Sequence, residues 1–147
     1  MKRFLILSMP FLALCITCCK PKPEPVPQHE RPQWVLSHTS DVESGMTITG
    51  RLPEHLIQYA DTTDLVAAFH GDECCGTASI QWVLGQPYYF LAVLHPTGES
   101  ENVQITLRYY NASRQYIYVE KDAFLFVEDK IIGTIEAPFV ADFTTYE

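Results

Sequence analysis

The sequence predicts an all-β protein: an antiparallel β-sandwich, immunoglobulin-like or jelly-roll-like, with about eight or nine short strands. First, apolar and polar side chains alternate from Val103 to Tyr110, which is typical of a strand with one buried face. Second, no stretch of about a dozen residues carries the 3.6-residue apolar period of a helix. Third, turn-forming residues recur at short intervals. A small β-barrel is the alternative architecture.

Nine segments fit the strand pattern, and Gly, Pro, Asn, Asp and Ser residues separate them. The predicted strands cover residues 34–37, 46–52, 65–70, 77–83, 88–94, 103–110, 115–120, 123–127 and 133–143. Between the second and the third, residues 53–60 have room for one helical turn and little more.

Residues 1–18 have the composition of a signal peptide. Lys2 and Arg3 supply a positive N-terminus, and the apolar run 4–14 is too short for a membrane-spanning helix, which needs roughly 20 residues. The run leads into Cys18 and Cys19, and this arrangement resembles the lipobox of bacterial lipoproteins. The resemblance implies cleavage before one of these cysteines, which then carries the lipid. An ordinary secretory signal is the alternative.

Residues 19–33 are expected to be the lipidated cysteine and a proline-rich tether. Five prolines lie between Lys20 and Gln33 and favour an extended spacer of about 3.1 Å per residue. Two or more palmitate-type acyl chains anchor a protein stably. We therefore expect a protein of the cell envelope, lipid-anchored to the outer membrane on its periplasmic or surface face. Residues 34–147 suffice for one β-sandwich domain.

Composition and charge narrow the function classes. The chain is 47% hydrophobic and 12% aromatic, which excludes a disordered protein. Its formal net charge is -8, and removal of Lys2 and Arg3 with the signal peptide lowers it to -10. An acidic surface argues against nucleic acid as a partner and against electrostatic adhesion to anionic lipid.

The turn within residues 65–82 holds most of the unusual chemistry and is a candidate site. Its candidate residues are His70, Asp72, Glu73, Cys74 and Cys75. The carboxylates suit a hard cation, but the ligand spacing of a calcium loop is missing. Zinc needs four ligands at separations that let the chain fold around the ion, and adjacent cysteines rarely chelate one metal. We therefore expect no metal and no cofactor.

Cys74 and Cys75 are expected to be free thiols, although export places them in an oxidising compartment. A disulfide between neighbouring residues closes a strained ring. Strand alternation instead points one side chain into the core and the other outward. The chain also lacks the Gly-x-Ser-x-Gly, His-Glu-x-x-His and phosphate-loop motifs. We accordingly expect no enzyme.

Aromatic residues in the middle of the domain form a second candidate site. Strand alternation places some of these rings outward, where they suit stacking on a sugar or a peptide. Ordinary cross-strand pairs that stabilise the sheet are the alternative. The candidate binding residues are Trp82, Tyr88, Tyr110, Tyr116 and Tyr118.

Five blocks of the chain, 46–48, 64–78, 89–93, 105–110 and 132–139, together resemble a β-sandwich module of surface and secreted lipoproteins in Bacteroidetes-type bacteria. The most specific block contains the pattern Ala-Ala-Phe-x-Gly-x-Glu-Cys-x-Gly. One departure is a cysteine at position 75, where the pattern leads us to expect arginine. The resemblance implies an extracytoplasmic, non-catalytic module with no defined activity.

The expected function is that of a membrane-anchored binding or accessory module for a glycan or a peptide. The alternative is a structural or assembly lipoprotein that contacts other envelope proteins.

The anchor assignment is tested by changing Cys18 and Cys19 together to Ala. Because only the lipid is expected to hold the mature protein, the wild-type chain should pellet with membranes and the processed double variant should not. Fractionation followed by immunoblotting measures this. A double variant that stays membrane-bound through an uncleaved N-terminus would contradict the lipoprotein assignment.

Overall fold

The computed structural model describes residues 26–37, 42–96 and 102–147. The predicted signal peptide, the lipidation candidates Cys18 and Cys19 and the first part of the tether lie outside the described residues. Within them, two β-sheets pack together with one helical turn, which confirms the predicted all-β sandwich. The helix α1 (Glu54–Ile57) falls where the sequence allowed one turn.

The described part of the chain contains eleven strands, and four of them are only two residues long. They are β1 (Val42–Arg51), β2 (Leu65–His70), β3 (Glu73–Ser79), β4 (Gln81–Val83), β5 (Gln86–Pro96), β6 (Gln104–Asn111), β7 (Tyr116–Val119), β8 (Phe124–Leu125), β9 (Ile131–Ile132), β10 (Phe139–Val140) and β11 (Thr145–Tyr146).

The strands are divided between a five-stranded sheet A and a six-stranded sheet B. Sheet A has the order β10-β1-β5-β4, and β9 also pairs with β1; β9 and β10 run parallel to β1, whereas the other pairs are antiparallel. Sheet B has the order β11-β7-β6-β2-β3, all antiparallel, and β8 also pairs with β6.

The core lies between the sheets and is formed by alternate residues of the long strands. In β6, Ile105, Leu107 and Tyr109 are fully buried, whereas Thr106 and Arg108 between them are half-buried on the outer face. The predicted period of two is confirmed for this strand. The largest fully buried side chains are Tyr89, Tyr109, Tyr118, Phe143, Met46, Ile48, Leu52, Leu56, Ile80, Leu91, Ile105 and Leu107.

The predicted strand 77–83 is divided between the two sheets. The chain leaves sheet B at Ser79, buries Ile80 and continues in sheet A as β4. Within β3, before this corner, the backbone lies so close to β5 that a Cβ atom on Gly76 would collide with the carbonyl oxygen of Ala92. Gly76 is therefore needed for close backbone approach rather than for a turn.

Two other predicted strands differ from the structure. Residues 34–37 are extended but are not a strand, because they make a single backbone hydrogen bond to sheet B, from Ser37 N to Cys74 O at 2.9 Å. Residues 133–143 contain only the short strand β10, since Gly133 has φ +74 and a turn from Thr134 to Ala137 interrupts the extended backbone.

Different loops and turns lie at the two ends of the sandwich. Leu65 pairs with both Ser79 and Tyr110, and Arg51 pairs with Tyr88, so the β4–β5 hairpin, the linker 52–64 and the β6–β7 turn meet at one end. We call this the lower end. The β2–β3 turn lies at the opposite, upper end.

The register of β6 is tested by truncation. Ile105→Ala should reduce the free energy of unfolding by about 2 to 5 kcal/mol, as buried aliphatic truncations do. Thr106→Ala should cost less than half as much, because Thr106 faces outward beside Phe69. Urea unfolding measures both, and equal losses would show that the register is wrong.

Candidate functional site

The predicted turn site does not bring its side chains together around a ligand. Asp72 is fully exposed, and its carboxylate lies 4.0 Å from the guanidinium of Arg108. His70 is half-buried; its Nδ1 lies 3.1 Å from the carbonyl oxygen of Gln104, to which it donates in the appropriate tautomer, and its ring packs edge-on against His95. Among residues 26–37, 42–96 and 102–147, no three His, Cys, Asp or Glu side chains are placed to hold a metal ion.

Cys74 and Cys75 are free thiols that belong to two different hydrophobic clusters. Cys75 is an extra residue in β3, a β-bulge opposite the step from Ala68 to Phe69, and it packs into the main core. Cys74 packs on the outer face of sheet B with Phe69 and Trp34. Burial raises the pKa of both thiols, which disfavours the reactive thiolate. The expected division between two faces is observed, but the outward thiol is also covered.

What covers Cys74 is an N-terminal strap, residues 26–37, which crosses the outer face of sheet B. His29 N donates to Gln115 O at 2.7 Å near the lower end, and Ser37 meets Cys74 near the upper end. Between them the Trp34 ring packs edge-on against Phe69, 5.6 Å between centroids. Strand periodicity gives no signal for such a segment, because prolines remove the donors that a ladder needs.

Three of the five candidate rings lack the expected exposure, although Tyr88 and Tyr110 lie on outer faces of the sheets. Tyr88, Tyr110 and Tyr118 are buried. Tyr88 donates to Ile135 O at 3.0 Å, and Tyr110 lies beneath the strap with its hydroxyl 3.5 Å from His29 O. Tyr118 faces the main core. The loop that contains Ile135 covers Tyr88 and the strap covers Tyr110, and alternation along a strand does not reveal such cover.

The other two candidates, Tyr116 and Trp82, lie at the lower end. The half-buried Tyr116 contacts Tyr146 edge-on, and the Arg114 guanidinium lies 4.8 Å from the centre of its ring and 4.5 Å from that of Tyr59. Arg114 also donates to Tyr118 OH at 3.1 Å. Tyr59 and Tyr146 are each more than a third exposed, so the cluster is amphipathic.

Trp82 lies on β4 and is 47% exposed. Two residues later Leu84 is 93% exposed, at the tip of the two-residue turn between β4 and β5. Leu84 has φ +50 and Gly85 has φ +75, so both central residues of this turn are in the left-handed region. The hairpin tip therefore has an exposed leucine at a position where glycine or asparagine is usual.

A buried polar network centred on Asp64 holds the lower end together. Asp64 Oδ2 accepts from Tyr109 OH at 2.6 Å, Asp61 N at 2.9 Å and Asn111 Nδ2 at 3.1 Å, while Oδ1 accepts from Ala112 N at 2.8 Å. The carboxylate is fully buried. Burial beside this charge raises the pKa of Tyr109, so its hydroxyl stays a donor. These groups are engaged in structure and do not form a reactive site.

The outer face of sheet A is covered only in part by the described residues, unlike that of sheet B. The loop that contains Ile135 lies over Tyr88, and apolar side chains beside it stay exposed. The register places Phe90, Ile131 and Val140 on this face, and they are 37%, 72% and 45% exposed. Thr47 and Arg51 lie between them on β1. Sequence reasoning missed this face, because the residues come from four separate segments.

Glu120 is buried beyond the end of β7, and its Oε2 has no hydrogen-bond partner among the described residues; nor has the hydroxyl of Tyr89. Burial raises the pKa of Glu120, and the carboxylates of Asp142 and Asp122 act in the same direction. Hydrogen bonds from the backbone amides of Asp142 and Asp122 act against them. Because ionisation of the buried Glu120 carboxyl costs free energy in the folded state, the stability of the protein should depend on pH through this group.

No protein-family model matches this chain, and comparisons with curated proteins and with solved structures find no match. Within the described part of the chain, no helix has the length and apolar character needed to cross a membrane.

The cover over Cys74 is tested with Trp34→Ala. Loss of the aromatic contact and of its buried area should open the strap more often and speed alkylation of Cys74 by about tenfold. Peptide mass mapping after timed alkylation measures the rate. Val35→Ala is the matched control, since Val35 is exposed on the same strap. Equal rates in the two variants would contradict the docked strap.

The pH dependence is tested with Glu120→Gln. Because folding raises the pKa of Glu120, its contribution to stability is present at low pH and is lost as the pH rises through the folded value. The variant should melt about 1 to 4 °C higher than wild type at neutral pH, with the gap closing toward pH 4.5. Glu136→Gln removes an exposed charge and should show no such pH-dependent gap; a gap of equal size there would contradict the assignment.

Proposed function

We propose that this chain is a non-catalytic, lipid-anchored lipoprotein of the cell envelope whose sheet A binds another envelope protein. One observation carries the choice of partner: Phe90, Ile131 and Val140 expose apolar surface together on a sheet face. Among positions 45, 47, 49 and 51 of β1 and their partners on β5, β9 and β10, Arg51 is the one charged residue of this face, although the whole chain is strongly acidic. Several exposed apolar side chains on one sheet face favour a protein contact.

A polypeptide fits this face better than a glycan does. Sugar recognition uses aromatic faces with polar groups around them, whereas this face offers one exposed ring and several aliphatic groups. Sheet B supplies a comparison within the same molecule. Its outer face carries Ala67, Phe69 and Tyr110, and an extended polypeptide with a tryptophan covers them. We infer that the partner presents a similar extended, apolar segment to sheet A.

The anchor and the location are supported by the sequence alone. The short apolar run before Cys18 and Cys19 resembles a lipobox, and the wider resemblance to Bacteroidetes-type surface lipoproteins favours the outer membrane. A non-catalytic role is supported by the side chains that normally carry chemistry. Cys74, Cys75, Asp64 and Tyr109 are all engaged in packing or hydrogen bonding.

The binding face is tested by placing a photo-reactive amino acid at position 90 and irradiating intact cells. We expect one discrete adduct, identified by mass spectrometry as an envelope protein. Ile131→Asp should reduce its yield about fivefold or more, since loss of a central interface side chain costs over 1 kcal/mol, while the stability of the chain stays within about 0.5 kcal/mol.

Position 77, an exposed site on sheet B, is the matched control and should give no adduct. No adduct from position 90, equal adducts from both positions, or an adduct between two copies of this chain would each contradict the proposal. Binding of an oligosaccharide that protects position 90 from cross-linking would favour the glycan alternative.

A further inference from the structure

The lower end of the sandwich carries the exposed side chains that the proposed protein contact on sheet A does not use. From its position and composition we infer that this end rests on the membrane, with the β4–β5 hairpin tip inserted at the boundary between lipid headgroups and acyl chains. The inference rests on the proposed lipid anchor and adds the surface by which the domain meets the lipid.

The course of the strap fixes which end is closer to the anchor. His29 is hydrogen-bonded to Gln115 in the β6–β7 turn, and its ring nitrogen lies 3.0 Å from the carbonyl oxygen of Glu147, both at the lower end. Ser37 is bound near the upper end. The chain therefore enters the domain at the lower end and runs toward the upper one.

The number of residues before the strap limits how far this end can be from the lipid. From Cys19 to Val26 there are seven residue steps, and from Cys18 there are eight. A fully extended chain advances at most about 3.6 Å per residue, so Val26 lies within roughly 25 to 29 Å of the lipidated residue. With the anchor in place and the extended tether lying along the headgroups, the lower end stays at a high effective concentration near the lipid.

Leu84 is the side chain that the fold itself explains least. It is 93% exposed, so it gains little from burial within the protein, and its φ of +50 is disfavoured for a residue with a Cβ atom. Asparagine or glycine at this position would relieve the backbone. An exposed leucine on a turn that it strains is accounted for if the tip lies in an apolar medium.

The neighbouring side chains have the amphipathic character of a membrane interface. Trp82 is half-exposed on the same hairpin. Tyr59 is partly exposed beside Arg114, and Tyr146 is partly exposed beside Tyr116. Tryptophan and tyrosine are enriched where the bilayer meets water, because one side of each ring is apolar and the other end is polar. The acidic chain gains little from electrostatic attraction, so apolar burial and the tether supply the contact.

The two tryptophans of the chain, Trp34 and Trp82, provide matched probes. The full-length lipidated protein is reconstituted in vesicles of phosphatidylethanolamine and phosphatidylglycerol, with or without lipids brominated near the headgroup end of the acyl chains. Trp34→Phe leaves Trp82 as the single tryptophan, and Trp82→Phe leaves Trp34, on the outer face of sheet B. We expect the brominated lipids to quench most of the Trp82 emission and little of the Trp34 emission.

Leu84→Asn separates insertion from folding. The change should raise the melting temperature, because asparagine tolerates the left-handed conformation, and it should also reduce the quenching of Trp82. A hairpin tip with a merely structural leucine would show a lower melting temperature and unchanged quenching, which overturns the inference.

The remaining outcomes distinguish this inference from the proposed function. If the protein co-floats with the vesicles but Trp82 is quenched no more than Trp34, the anchor stands and the membrane-facing end is wrong. If the wild-type protein does not co-float, the anchor is wrong and the inference fails with it.

Discussion

The carboxylate of Asp64 accepts four hydrogen bonds in the protein interior, and each comes from a different residue. An ionised group pays a large desolvation cost unless its oxygens are satisfied, so this site forms only when its four donors arrive together. Those donors belong to the β1–β2 linker, to β6 and to the β6–β7 turn. One carboxylate therefore joins the segments that build the lower end of the sandwich.

This constraint determines which surfaces the molecule leaves free. With the lower end fixed, Gln115 and the neighbouring Tyr110 can hold the start of the strap, and the strap then covers the outer face of sheet B. Sheet A keeps Phe90, Ile131 and Val140 exposed. If the lower end rests on lipid, sheet A stands at the side of the domain, where a neighbouring envelope protein can reach it. The lipid anchor, the membrane contact at the lower end and the protein contact on sheet A therefore use different parts of the molecule.

The sequence predicted the strands well and the site poorly, for physical reasons. Alternation identified β6 because its inward residues are all buried, whereas its outward residues from Gln104 to Arg108 are exposed or half-buried. The same rule cannot show that the outward Tyr110 and Cys74 are buried, because the cover comes from a distant segment without a ladder. Nor can it show that the chain changes sheets at Ile80. The Asp64 network joins residues up to 48 positions apart, and nothing local distinguishes this aspartate from its exposed neighbour Asp61.

The most direct test of the account is a double-mutant cycle of Asp64→Asn and Tyr109→Phe, measured by urea unfolding of the full chain. Asparagine turns a donor toward the groups that now donate, so Asp64→Asn alone should cost about 3 kcal/mol or more. The pair should show a coupling energy of about 1 to 3 kcal/mol, since the two groups share a 2.6 Å hydrogen bond. A cost for Asp64→Asn below about 0.5 kcal/mol, as for an ordinary surface substitution, with additive effects in the double variant, would contradict the central place given to this carboxylate.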